Sequence, residues 1–191
     1  MSTYVFFDTE TTGVPRDYKA PYTDTGNWPR VVQLSWLVVD ENGRELSRHD
    51  HIIKPVGFVI PDQAAAIHGI STARALSEGE DLRSVINEFC ADVRACGCVV
   101  GHNVDFDIKV TQAECCRLGE VQPFTRKVVR DTMKESTDYC NIPGKFGPKW
   151  PRLDELHRTL FGCGFEDAHN SLADIEATCK CFWELVRRGV M

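Results

Sequence analysis

A chain of 191 residues, 42% hydrophobic and 26% charged, is ordinary for one soluble domain spanning 1–191 and large enough to bury a real core. No apolar stretch is long enough to cross a bilayer, and no basic, apolar, small-residue run opens the chain; the expectation is a cytoplasmic protein with no membrane partner. The net charge of −6 argues against a uniformly basic nucleic-acid binder, and nine cysteines without C-x-x-C spacing point to reduced thiols, not disulfides or structural zinc.

Tyr4–Phe7 reads as a short buried strand running into two acids, Asp8 and Glu10. Residues 14–30 hold three prolines and form a long loop. The apolar runs 31–40 and 44–55 flank Glu41-Asn42-Gly43, the pattern of a hairpin. Helical patterning begins near Pro61 and is clearest where Leu82, Val85, Ile86, Phe89 and Val93 recur. A buried strand at 98–101 precedes a helix at 104–118, and 128–133 reads as a further strand. After a Pro/Gly-rich loop at 141–151 come a helix at 152–162 and a last one from about Ser171 to Arg188. An antiparallel start followed by alternating strands and helices is a mixed α/β layout.

Three acidic clusters stand out. Asp8 and Glu10 share one face of the first strand, because side chains two apart point the same way. Asp107 falls in the first turns of the 104–118 helix, and Asp174 in the first turns of the last helix, shortly after His169. Strand ends and helix starts meet at one edge of an α/β sheet. Four carboxylates gathered there raise one another's pKa unless cations neutralise them, and all-oxygen ligation selects Mg²⁺ or Mn²⁺. Each cluster also has a plainer reading. Asp8 and Glu10 can simply end a strand, Asp107 can complement a helix dipole, Ser171-x-x-Asp174 resembles a capping box, and His169 can be a surface histidine.

In order along the chain, "FDTETTG", "VGHNVDFD" and "AHNSLAD" resemble the three exonuclease motifs of the DEDDh branch of the DnaQ-like 3′–5′ exonucleases. That family includes the proofreading subunit of bacterial DNA polymerase III, oligoribonuclease and ribonuclease T. The resemblance implies a ribonuclease-H-like fold, a five-stranded mixed sheet with helices on both faces. It implies metal-dependent hydrolysis from the 3′ end of nucleic acid, releasing nucleoside 5′-monophosphates, with two divalent cations, Mg²⁺ or Mn²⁺. By the same resemblance Asp8 bridges both ions, Glu10 and Asp174 complete the nucleophile-side site, and Asp107 acts chiefly through a coordinated water. His169 takes the proton of the attacking water, and its presence in place of tyrosine marks the "h" branch. Thr11 and Thr12 are expected to reach the terminal sugar, and His68 and Phe106 to stack on or wedge the last bases. Asn103 is a candidate substrate contact, with helix capping as its favoured role.

Between Thr125 and Arg152, seven basic residues stand against three acids, a basic flank suited to phosphates or simply a solvated loop. Single-stranded DNA is the first expectation for substrate. An RNA-trimming enzyme of the same fold and a non-catalytic binding module are the alternatives. "QLSWL" (33–37) resembles a sliding-clamp-binding pentapeptide but lies in a predicted buried strand. A DNA polymerase is the candidate protein partner, although the chain closes directly after its last helix, which favours a stand-alone enzyme or another mode of docking.

Overall fold

Strand alternation decides how the sheet divides its side chains between two layers. In the computed structural model, which describes residues 3–165 and 170–191, β1 (Thr3–Thr11) is the centre of a five-stranded sheet. It sends Val5 and Phe7 to one layer and Phe6 to the other. β2 (Val31–Asp40) pairs with β1 and with β3 (Glu45–Ile52), both antiparallel. β4 (Cys98–Gly101) and β5 (Val128–Asp131) join the other side of β1 in parallel, giving the order β3-β2-β1-β4-β5. This is the mixed sheet that the sequence suggests. The β2–β3 turn is closed by Asp40, whose Oδ1 accepts the N–H groups of Asn42 (2.9 Å) and Arg44 (3.0 Å).

Helices cover both faces. α1 (Asp62–His68) and α2 (Thr72–Glu78) pack around Val32 near the start of β2, and α3 (Leu82–Ala95) and α4 (Val104–Leu118) cover the Phe7 side. Phe89, Val93 and Val110 from the last two pack on Val5, Phe7, Trp36 and Val99. After the short α5 (Thr132–Glu135) and α6 (Thr137–Cys140), α7 (Leu153–Phe161) lies outside α8 (Ser171–Arg187), which covers the Phe6 side. There the Phe182 ring meets Phe6 edge-on, centroids 5.3 Å apart. Aromatic burial of this kind contributes several kcal/mol per ring, typically about 3–5 when truncated to alanine, and it fixes α8 against the strand that carries Asp8.

One local expectation is corrected and two small elements are added to the sequence reading. Thr132 and Met133 belong to a helix, not to the preceding strand, because Asp131 accepts the Met133 N–H (3.0 Å) and starts α5 there. α2 is a separate short helix, begun by Ser71, whose side chain accepts the Arg74 N–H. The 141–151 loop contains a two-residue antiparallel pair, Pro143–Gly144 with Gly147–Pro148. The "QLSWL" segment is buried throughout within β2, where it cannot act as a free ligand. All nine cysteines are free thiols, five of them buried as small apolar residues. Among the described residues, no helix is long and apolar enough to cross a membrane.

Candidate active site

Beyond Phe6, the same face of β1 presents Asp8 and then Glu10, just before the register with β2 shifts between Glu10 and Thr11. α8 lies over that face and brings Asp174 in its first turn. Carboxylate oxygens of Asp8, Glu10 and Asp174 lie within 4.8 Å of one another. Asp107 enters from the other layer in the first turn of α4 and is buried. Its Oδ1 accepts the Thr9 N–H (3.0 Å) and the Thr9 hydroxyl (2.6 Å), so β1 itself orients the fourth acid.

The electrostatic cost of this gathering is visible in the acids. Burial first, then the charges of Asp107, Asp174 and Glu10, hold the Asp8 carboxyl well above the usual range. Burial followed by Asp174 and Asp107 pushes Glu10 up to about 8. Asp107 rises to about 7 through burial, against the two hydrogen bonds from Thr9 that favour its charged form. Among the described residues, no lysine or arginine is ion-paired with Asp8, Glu10 or Asp107. Oxygen-only donors whose charges raise one another's pKa fit hard divalent cations such as Mg²⁺ or Mn²⁺.

The turns that deliver α4 and α8 differ from expectation. Ser171 does not cap α8: the cap is Asn170, whose Oδ1 accepts the N–H groups of Leu172 (3.1 Å) and Ala173 (3.3 Å). Ser171 is the first helical residue, and its buried hydroxyl bonds to Ser35 of β2, so the plainer reading of Ser171 as the cap of a box with Asp174 does not hold. Asn103 precedes α4 but makes no side-chain cap. It occupies the left-handed region, φ 64°, which asparagine tolerates better than most residues. Its N–H is held by Asp131 Oδ1 at 2.9 Å. Gly101 just upstream must lack a side chain, since a Cβ there would sit 2.7 Å from Val104 Cγ2. His102, for which sequence reasoning offers no role, ties this turn to its neighbours through Thr132 Oγ1 and the Pro151 carbonyl, both at 3.0 Å.

A pocket of about 430 Å³ opens beside Glu10, lined by Thr11, Thr12, His68 and Phe106 together with Val14 and Ile67. Four of the five residues expected at the substrate are thus brought together; Asn103 does not line this pocket. The hydroxyls of the two threonines are engaged internally, Thr11 donating to the Gly13 carbonyl (2.6 Å) and Thr12 accepting the Arg30 N–H (3.0 Å). His68 is mostly buried and accepts the Ile70 N–H at Nδ1 (3.1 Å). His169 lies outside the described residues.

The basic flank is largely answered within the fold. Lys127 donates to the carbonyls of Arg94 and Cys96, Arg130 pairs with Glu135, Lys134 with Asp105, Lys149 with Glu155, and Arg152 with Asp154. What sequence reading missed is Arg158, which with Arg152 and Phe165 lines a 330 Å³ cavity reaching Asp174. Only the packing of α7 on α8 brings it there.

A mixed sheet in this strand order, with oxygen ligands from β1, α4 and α8 converging at one edge, defines a ribonuclease-H-like α/β domain with a carboxylate site. Residues 5–182 match the RNase_T family model, described as Exonuclease. The chain belongs to that family, the DnaQ-like 3′–5′ exonucleases. It is 25% identical to the human three-prime repair exonuclease 1 over 96% of its own length and 64% of that protein. It is 27% identical to the PolC-type DNA polymerase III of Pediococcus pentosaceus, over 92% of this chain and 11% of the polymerase. The chain therefore spans less than two thirds of either relative. Among solved structures, exonuclease I superposes with a TM-score of 0.77 at 21% identity, covering 98% of this chain and 41% of the other. E. coli exonuclease I in complex with a dT13 oligonucleotide superposes with a TM-score of 0.75 at 23% identity, with the same coverage.

Proposed function

We propose that the chain is a single cytoplasmic DEDDh-type domain that removes nucleoside 5′-monophosphates from the 3′ end of single-stranded DNA. The observation that carries this reading is the approach of Asp8, Glu10 and Asp174 to within 4.8 Å, with Asp107, held by Thr9, near enough for its charge to raise Asp8 and Glu10. Bound by these four acids, two Mg²⁺ or Mn²⁺ ions supply charge stabilisation and a nucleophile at neutral pH. The chain's own residues do the rest. The pocket beside Glu10 receives the terminal nucleotide, with Phe106 and the exposed Ile67 offering apolar surface to a base of any sequence. Arg152 and Arg158, beside Asp174, meet the phosphate backbone from the opposite side. His169, by resemblance to the family, holds the proton removed from the attacking water; an ordinary histidine titrates at roughly 6.5, suited to that task.

DNA is the substrate of this reading because exonuclease I, which shares the fold, has been solved with dT13 and dA16 oligonucleotides. A DNA polymerase is the protein partner it admits, one relative being a PolC-type polymerase. The test is degradation of matched DNA and RNA oligomers, labelled at the 3′ or the 5′ end, single-stranded or duplex. Mononucleotides should leave the 3′ end of single-stranded DNA first, EDTA should abolish the reaction, and Mg²⁺ or Mn²⁺ should restore it. Turnover that survives thorough chelation contradicts the reading, as do internal cuts; preference for RNA overturns the choice of substrate.

A further inference from the structure

On the sheet face turned away from the catalytic carboxylates, β3 carries His49 and His51, two residues apart and therefore on one side. Both rings stack on Trp36 of β2. His49 lies 4.3 Å from it at an interplanar angle of 7°, and His51 lies 5.2 Å away at 29°. Glu88 of α3 reaches across them, its Oε1 3.2 Å from His49 Nδ1 and its Oε2 3.8 Å from His51 Nε2. One donor atom from each of the three residues lies within 4.8 Å of the others.

The remaining nitrogen of each ring is already held. His51 Nδ1 sits 2.8 Å from Glu80 Oε1, so the carboxylate fixes the proton on that nitrogen. His51 Nε2 is then a bare lone pair, and it is buried with no hydrogen-bond partner. His49 Nε2 is 3.1 Å from Ser47 Oγ and 3.6 Å from Asp92 Oδ2, which leaves Nδ1 turned to Glu88. An imidazole whose far nitrogen donates to a carboxylate is how proteins aim histidine at a metal.

We propose that His49, His51 and Glu88 form a zinc site distinct from the catalytic carboxylates. Two imidazole nitrogens and one carboxylate oxygen suit Zn²⁺ better than the hard cations of the other site, with the fourth position open to water. Tetrahedral zinc with ligands at ~2.0–2.1 Å places donors roughly 3.4 Å apart; His49 Nδ1 and Glu88 Oε1, at 3.2 Å, stand near that spacing, and one donor atom of each of the three residues lies within 4.8 Å of the others. The ion fastens the edge strand β3 to α3, so occupancy raises thermal stability by mass action.

The experiment is equilibrium dialysis against Zn²⁺ of the full chain carrying Asp8→Asn and Asp174→Asn, which weakens the catalytic site. The same chain with His51→Gln added is the comparison. The parent should retain one equivalent of zinc and melt several degrees higher with it, and His51→Gln should lose both effects. Co²⁺ substituted into the parent should give visible d–d bands without thiolate charge transfer, which decides the matter even if His51→Gln fails to fold. No retained zinc, retention unchanged by His51→Gln, or a thiolate charge-transfer band overturns the proposal. The first outcome leaves His49, His51 and Glu88 as a proton-mediated ion pair.

Discussion

Asp8→Asn and Asp174→Asn should each cut nuclease turnover by about 10³-fold or more while leaving the fold in place. The magnitude follows from the role: cation-mediated charge stabilisation is worth several kcal/mol, and each 1.36 kcal/mol is tenfold in rate. The fold should survive because asparagine fills the same volume and because Phe6 and Phe182, not the acids, hold β1 to α8. Steady-state assays at saturating Mg²⁺ or Mn²⁺, beside circular dichroism and a thermal melt, check both halves. Near-normal turnover in either folded variant contradicts the assignment.

The second large effect is on stability without metal. Glu10 is raised from an ordinary value of 4.5 to about 8, and Asp107 from 3.8 to about 7, so the folded chain keeps protons that the unfolded chain releases. The sign follows from linkage: the contribution is full below about pH 4, where both states are protonated, and falls as pH rises. It is lost once pH passes the folded values near 7 and 8. Chelator-treated protein should therefore melt lower at pH 8 than at pH 5. Asp8→Asn removes one of the four mutually repelling carboxyls and should raise the metal-free melting temperature at pH 8, each ~1 kcal/mol recovered being worth roughly 2–4 °C in a domain of this size. Added Mg²⁺ should do the same for the native chain. A metal-free melting temperature that does not change from pH 5 to pH 8, or a less stable Asp8→Asn, contradicts the picture of mutually repelling carboxylates.

Where the sequence was informative, the signal was local. The alternation in β1 put Asp8 and Glu10 on one face, and the apolar runs of β2 and β4 and the span of α4 were readable from their patterns. Misreadings arose where a single side chain decided the outcome. Asp131 started a helix two residues earlier than strand propensity suggested. Asn103, favoured as a cap, leads into α4 with a left-handed backbone and no side-chain cap.

The basic flank shows a different limit. Counting charges could not reveal that Glu135, Asp105, Glu155 and Asp154 would answer them. Thr9, Arg158 and the His49–His51–Glu88 group depend on neighbours distant in sequence. Alternation in "RHDHI" places the two histidines together, but only the packing of α3 supplies the glutamate.

The central claim is that acids from three separate elements bind divalent cations at one point. Crystals soaked in Mn²⁺ and measured for anomalous scattering test it most directly. The account predicts manganese peaks within bonding distance of Asp8, Glu10 and Asp174, lost in Asp174→Asn. A native crystal with no manganese among those carboxylates would contradict it.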